Sequence, residues 1–150
     1  MPETFFYHLQ SRPLEGVLPA LLEKTLDRGW KAVVQAMTPE RVTALDAHLW
    51  SYSEEGFLPH VADGEPVTDD DPIVLTVSDA NPNGAEVRFL VEGAPFPPDA
   101  AVYARLIVLF DGNDEDALAR ARDQWKEAKA AGHDATYWQQ SDAGRWEKKA

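Results

Sequence analysis

Short apolar runs alternate with segments of helical periodicity along this chain, and this alternation limits the possible folds more than any other feature of the sequence. We predict strands for the apolar runs at residues 4–9, 32–36, 73–77, 87–91, 105–110 and 136–138. We predict helices where apolar side chains recur every three or four positions, at residues 14–27, 38–52 and 114–131. This order predicts an α/β fold in which a mostly parallel sheet is flanked by helices.

Local signals indicate where two helices begin and where one tight turn lies. Thr38, Pro39 and Glu40 follow the usual order of an N-cap, a first helical residue and an acid near the positive end of the helix dipole. Asp114 stands at the start of the last predicted helix. Residues 81–84 read Asn-Pro-Asn-Gly, a strong turn signal, which predicts one antiparallel strand pair.

Composition limits the class of protein. A chain of 150 residues with 44% hydrophobic content suits one domain over residues 1–150. The chain has no cysteine, which excludes disulfides and thiol nucleophiles and suits a reducing compartment. No stretch approaches the ~20 apolar residues of a membrane span, and the N-terminus lacks the pattern of a signal peptide. We therefore expect a cytoplasmic protein that does not contact the membrane.

The motifs of nucleotide and metal chemistry are missing from the sequence. Neither G-x-G-x-x-G nor G-x-x-x-x-G-K-[ST] occurs, and the four histidines lie far apart. We expect no cofactor, no bound metal and no catalytic residues. The alternative is a small nucleotide- or metal-dependent enzyme that uses the carboxyl ends of the parallel strands, near Asp111 and Asp79.

Acidic residues crowd the predicted loop at residues 62–72. Asp63, Glu65, Asp69, Asp70 and Asp71 could offer oxygen ligands to a hard cation, but they lack the spacing of an EF-hand loop. A solvated acidic loop is the favoured interpretation, and a cation site is the alternative.

Charge is distributed unevenly along the chain. The formal net charge is −12, yet seven of the 14 Lys and Arg residues fall between Arg120 and Lys149. Net acidity argues against a general nucleic-acid-binding surface, because phosphate affinity increases with the number of Lys and Arg contacts. A local basic patch on an acidic body instead suits a small anionic feature, such as a carboxylate or an acidic peptide.

The last predicted helix carries this basic patch on one side. At 100° per residue, Arg122, Trp125, Lys126 and Lys129 fall within an arc of about 100°. An aromatic ring beside three cations can hold an apolar anchor while the cations neutralise nearby carboxylates. The other interpretation stays open: cations late in a helix offset its dipole, and a tryptophan at the border of the apolar face packs in the core.

Several short motifs follow one another in an order and spacing that together are fairly specific, although none is specific alone. They are Phe6-Tyr7-His8-Leu9, Leu49-Trp50, Phe57-Leu58-Pro59-His60, Arg122-x-x-Trp125-Lys126, residues 136–140 (TYWQQ) and residues 144–150 (GRWEKKA). On these motifs the chain resembles the chi subunits of bacterial DNA polymerase III holoenzyme over nearly its whole length. The resemblance implies a fold like a mononucleotide-binding domain without a phosphate loop, and a non-catalytic accessory role in DNA replication.

The resemblance also implies partners and binding residues. Chi proteins bind the acidic, Phe-terminated C-terminal tail of single-stranded DNA-binding protein, and this site corresponds to Arg122, Trp125 and Lys126. One basic position of that family site is Leu118 here, and Lys129 is the candidate that replaces its charge. Chi proteins also bind the psi subunit of the clamp loader, for which a repair helicase can compete, on a surface corresponding to Phe57 and Trp50. DNA is then contacted only indirectly.

Overall fold

The structure is a computed structural model that describes residues 2–52 and 58–150. Its strands are β1 (Glu3–Leu9), β2 (Ala32–Gln35), β3 (Val61–Ala62), β4 (Ile73–Thr76), β5 (Val87–Val91), β6 (Arg105–Asp111), β7 (Asp134–Gln140) and β8 (Trp146–Lys148). Its α-helices are α1 (Leu14–Asp27), α2 (Pro39–Ser51) and α3 (Glu115–Ala130), and a short 3-10 helix covers Ala100–Val102.

All these strands join one sheet in the order β3-β4-β2-β5-β6-β1-β7-β8. The strands from β3 to β7 in this order pair in parallel, and β8 runs antiparallel to β7. The central strand β5 is buried at every position, as expected for a parallel sheet covered on both faces. The predicted α/β class with a mostly parallel sheet is therefore confirmed.

The helices begin where the sequence predicts. The Thr38 hydroxyl accepts a hydrogen bond from the backbone N–H of Arg41, and Pro39 is the first residue of α2. The Asp114 carboxylate accepts hydrogen bonds from the N–H groups of Asp116 and Ala117 at the start of α3. Each cap satisfies backbone donors that have no partner inside the helix.

One prediction about strand pairing is wrong. The turn at residues 81–84 does not join an antiparallel pair, because β4 and β5 lie on opposite sides of β2 and both run parallel to it. The Asn81 side chain instead closes the turn on itself, since it both donates to the carbonyl of Ala85 and accepts from its N–H. The antiparallel pair is formed by β7 and β8, and the sequence analysis did not predict β8 or the two-residue strand β3.

The two faces of the sheet carry different helices. Leu9 and residues of α1 and α2, such as Leu18 and Leu45, belong to one apolar cluster. Phe6 and Phe110 form another cluster with Ala121 of α3. Because successive side chains of a strand point to opposite faces, β1 contributes to both clusters and sits near the middle of the core.

The central strand β5 carries a fully buried arginine. Arg88 on β5 has no exposed surface, and its guanidinium donates to the side-chain oxygen of Gln35 and to the carbonyls of Ser78 and Ala80. It also donates to the hydroxyl of Tyr103 at 2.9 Å. These bonds fix the loop after β4 against the sheet, since a buried guanidinium is tolerated only when its donors are paired.

Within residues 2–52 and 58–150, no helix is long and apolar enough to cross a membrane.

Candidate functional site

A surface pocket of about 450 Å³ lies between α3 and β7, and we call it the α3 pocket. Its lining residues are His8, Leu118, Arg122, Trp125, Lys126, Tyr137, Gln139 and Ala150. Three of the four residues predicted for tail binding therefore line one pocket. The sequence analysis placed these residues on one arc of a helix, and the structure adds the opposite wall.

The helical wall combines an aromatic ring with cations. Trp125 is half-buried, and its ring packs edge-on against Phe6 at 5.3 Å and against Tyr137 at 5.9 Å between centroids. Arg122 and Lys126 are exposed beside it. Lys129, the fourth predicted residue, does not line the pocket, but its Nζ lies 5.2 Å from the centre of the Trp125 ring. A cation at this distance from a tryptophan face is attracted by the ring quadrupole.

Small buried residues hold α3 against the sheet. Ala121 and Ala128 are almost fully buried, and alanine lets the helix backbone approach the strands closely. Gln124 is also buried, and its amide donates to the carbonyl of Ala94 at 3.1 Å. The sequence analysis did not predict a buried glutamine on this face. With these three residues facing the sheet, Trp125 lies at the border between core and surface, as predicted.

The opposite wall comes from residues that the sequence analysis missed. Nδ1 of His8 lies 2.7 Å from the hydroxyl oxygen of Tyr137, and both side chains line the pocket. The sequence placed His8 in the motif at residues 6–9 but gave it no binding role, because its partner is 129 residues away in the chain. The parallel pairing of β1 with β7 brings the two together. Only this pairing, which local sequence patterns do not encode, could have identified them.

The environment of His8 and Tyr137 on the opposite wall favours the neutral form of both side chains. Burial lowers the pKa of His8 below its usual value, and the charge of Asp111 only partly opposes this effect. Burial likewise raises the pKa of Tyr137, and the positive charge of Arg122 partly opposes that rise. The positive charge of the site is therefore concentrated on the rim, at Arg122 and Lys126.

The second predicted surface is described only in part. Trp50 lies on α2 with 55% of its surface exposed, and its ring centre is 4.4 Å from that of His60. The other predicted residue, Phe57, lies outside the described residues. Nδ1 of His60 lies 2.6 Å from the carbonyl oxygen of Leu58, and Nε2 lies 2.9 Å from a carboxylate oxygen of Asp46.

The carboxyl ends of β1 and β6 form the crevice where a doubly wound sheet usually binds its ligand. These neighbouring strands continue into α1 and α3, which cover opposite faces of the sheet, so their connections diverge there. A cavity of about 360 Å³ lies at this point and is lined by Asp111 and the segment after β1. Asp79 follows β4, and β2 and β5 separate that strand from β6. The structure therefore does not bring the two candidate enzyme residues together.

A glutamine side chain already accepts hydrogen bonds from the backbone N–H groups of the segment after β1, which lines this crevice. Oε1 of Gln140 accepts hydrogen bonds from the backbone N–H groups of Gln10, Ser11 and Arg12, at 3.2, 3.1 and 3.0 Å. In a phosphate-binding loop, consecutive N–H groups of this kind point at the ligand. Here they are already paired with the protein's own side chain.

Carboxylates of the acidic loop serve as local backbone acceptors. Asp63 accepts from the N–H of Val77, and Asp71 accepts from the N–H of Thr68, both at 2.8 Å. Glu65 accepts from the N–H of Ala62 at 3.0 Å. Among the residues that the structure describes, no group of three or more His, Asp or Glu is arranged to hold a metal ion. The carboxylates of Asp63, Glu65 and Asp71 therefore act as acceptors for backbone N–H groups within and beside the loop.

Fold and pocket together define a class of protein: a doubly wound α/β domain whose parallel strands support an apolar pocket with a cationic rim. The chain belongs to the DNA polymerase III chi subunit (HolC) family, whose family model matches residues 1–136. It therefore belongs to a family of accessory subunits of the replicative polymerase. The chain is 26% identical over 121 residues to the probable DNA polymerase III subunit chi of Rickettsia prowazekii, an alignment that covers 74% of this chain and 71% of that protein.

Proposed function

We propose that this protein is a non-catalytic accessory subunit of DNA polymerase III holoenzyme that links the clamp loader to the C-terminal tail of single-stranded DNA-binding protein. The observation that carries the proposal is the α3 pocket, in which Trp125 lies beside Arg122 and Lys126, while Lys129 contacts the Trp125 ring from outside the pocket. The proposal treats residues 1–150 as one chi-like domain that acts in the cytoplasm and contacts DNA only through its protein partner.

The pocket suits a peptide that ends in an apolar side chain and a carboxylate. The terminal phenylalanine of the tail would pack against Trp125 and Leu118, which gives the apolar anchor. Arg122 and Lys126 on the rim would pair with the terminal carboxylate and with acidic residues that precede it. We expect modest affinity, on the order of micromolar.

Calorimetry with a synthetic tail peptide (Asp-Asp-Asp-Ile-Pro-Phe) tests the proposal. Binding should be measurable at low salt and should weaken as salt rises, because exposed charges are screened. Lys126→Glu should weaken binding strongly, since like charges oppose the peptide. The matched control is Lys24→Glu, an exposed reversal in α1 on the other face of the sheet, which should bind nearly as wild type does. Absence of binding heat and of competition at low salt contradicts the proposal.

Two altered peptides distinguish the contribution of the terminal phenylalanine to the affinity from the contribution of the terminal negative charge. A peptide with a C-terminal amide keeps the phenylalanine but loses the terminal negative charge, and we expect it to bind more weakly. A peptide that ends in alanine keeps the charge and loses the apolar anchor, and we expect a comparable loss. If both changes leave the affinity unaltered, the peptide is not held in the α3 pocket.

Docking to the clamp loader is assigned to a different surface, around Trp50 and Phe57. The exposure of Trp50 and its place on α2, on the opposite face of the sheet from α3, support this assignment. An aromatic anchor at an interface carries about 2 kcal/mol or more. Trp50→Ala and Phe57→Ala should therefore reduce capture of the psi subunit or of a repair helicase while the tail peptide still binds. A large fall in melting temperature without selective loss of partner binding would instead mean that the residue belongs to the core.

A further inference from the structure

The C-terminal residues of the chain form part of the α3 pocket. After β8 the chain stays paired with β7, because the N–H of Lys149 donates to the carbonyl of Tyr137 at 2.8 Å. The N–H of Tyr137 donates in turn to the carbonyl of Ala150, and Ala150 lines the pocket. Tyr137, Gln139 and Ala150 all lie beyond residue 136, where the match to the family ends. This wall of the pocket is therefore a feature of this chain that the family match does not include.

The pairing of the C-terminal residues with β7 distinguishes the positions of Lys148 and Lys149 relative to the α3 pocket. Lys148 lies opposite Trp138, and Trp146, two residues earlier, packs on Tyr7 at 4.9 Å on the face covered by α1. Lys149 lies opposite Tyr137, whose ring packs against Trp125 of α3. Because side chains alternate along a strand and directly opposed residues share a face, Lys148, the last residue of β8, faces the side that α1 covers. Lys149 follows β8; its backbone is hydrogen-bonded to Tyr137 and it precedes Ala150, and both of these residues line the pocket. This places the exposed residue Lys149 at the edge of the pocket.

We propose that Lys149 is a second cationic contact for the tail peptide, so that the acidic residues of the peptide are held between α3 and the C-terminal strand. Arg122 and Lys126 line the pocket on α3, and Lys149 lies at the opposite edge, where its backbone N–H donates to the carbonyl of the lining residue Tyr137. Glu147 lies opposite Gln139, two positions further from Tyr137. This inference rests on the proposed function, because it assigns a further residue to the same site.

The expected ligand is consequently longer than the pocket itself. A terminal phenylalanine and its carboxylate fill the space beside Trp125, and the rim of α3 is within reach of the nearest acids. An extended peptide advances about 3.3 Å per residue, and the acids of the tail begin three residues before the phenylalanine, so they lie about 10 Å or more from it and reach past the mouth of the pocket. Lys149 gives these upstream acids a partner that α3 alone does not supply.

The test compares two charge reversals at adjacent positions. Lys149→Glu should weaken binding of the acidic tail peptide about fivefold or more at low salt, because a like charge then faces the peptide. Lys148→Glu changes the net charge equally but projects on the other face, and it should change the affinity less than about twofold. Lys149→Arg should bind as wild type does. Melting temperatures of the three variants verify that each is folded.

A second peptide shows whether a negative result contradicts only the role of Lys149 or the proposed function as a whole. When Asn replaces the upstream Asp residues and the terminal phenylalanine is kept, the difference between Lys149→Glu and wild type should disappear. Equal effects of the two reversals, or an effect of Lys149→Glu that persists with the Asn peptide, would overturn the role of Lys149 and leave the pocket assignment intact. Failure of the wild-type protein to bind either peptide would overturn the proposed function itself.

Discussion

The side-chain oxygen of Gln140 lies 3.1 Å from the backbone nitrogen of Ser11, in the loop that joins the first strand to the first helix. The same oxygen also accepts from the N–H groups of Gln10 and Arg12. Gln140 itself is 1% exposed. One buried side chain from near the C-terminus therefore fixes the loop that other proteins of this architecture use to hold phosphate.

Replacing Gln140 by alanine should destabilise the protein by about 1–3 kcal/mol, because three donors lose their acceptor and at least part of that loss is not compensated by water. Urea denaturation measures the change. Gln139→Ala is the control, since its amide makes one bond to the side chain of Gln10, and it should cost less. Equal stability of Gln140→Ala and wild type would show that water replaces the glutamine oxygen fully.

The stability of the protein should fall as pH decreases from 7 to about 5.5, in part because of His8. Burial lowers its pKa in the folded state, so the unfolded chain takes up a proton at a higher pH than the folded chain does. The stability that neutral His8 contributes is therefore present above the unfolded pKa near 6.5 and is lost as pH falls through the folded pKa. His8→Gln removes this titration, and its free energy of unfolding should decrease less over the same interval. Identical pH dependence of the two proteins would contradict the lowered pKa of His8 in the folded state.

A substitution at Gly112 should disturb the pocket from the side of His8. A Cβ atom at Gly112 would lie 1.8 Å from Nε2 of His8, which is far inside contact distance. Gly112→Ala must therefore displace the imidazole from Tyr137, with a cost of about 1–3 kcal/mol and weaker binding of the tail peptide.

Gly16→Ala is the matched control for that substitution. Gly16 is exposed in α1, and a Cβ there would meet its nearest neighbour, Cδ of Pro13, at an ordinary 3.7 Å. Because alanine favours helix more than glycine does, this variant should be more stable by about 0.5–1 kcal/mol. Its peptide affinity should not change. A Gly112→Ala protein with unchanged stability and affinity would mean that His8 does not occupy the position described.

Arg88→Met should destabilise the protein by about 3 kcal/mol, although methionine suits an apolar core. The substitution leaves the carbonyls of Ser78 and Ala80 and the side-chain oxygen of Gln35 without their donor. Thermal unfolding measures the loss. Arg28→Met, an exposed arginine over the ring of Trp30, is the control and should change the stability by less than about 1 kcal/mol.

Local sequence signals predicted most of the fold because they act within a few residues. The periodicity of residues 14–27 predicted α1 to the residue, and the Thr38 cap predicted where α2 begins. The spacing of Arg122, Trp125 and Lys126 placed them on one side of α3, since helical geometry alone fixes that relation. The turn at residues 81–84 was predicted correctly as a turn. Its sequence could not show that β5, the strand after it, pairs with β2 and not with β4.

The sequence by itself determined the class of fold and the cationic, aromatic side of α3, because both depend on residues close together in the chain. Tertiary structure alone decided what faces that helix. His8 and Tyr137 meet across 129 positions, and Gln140 caps a loop near the opposite end of the chain. The pairing of β8 with β7 likewise decides that Trp146 and Lys148 share one face of the sheet, and that Ala150, beyond the end of β8, reaches the pocket.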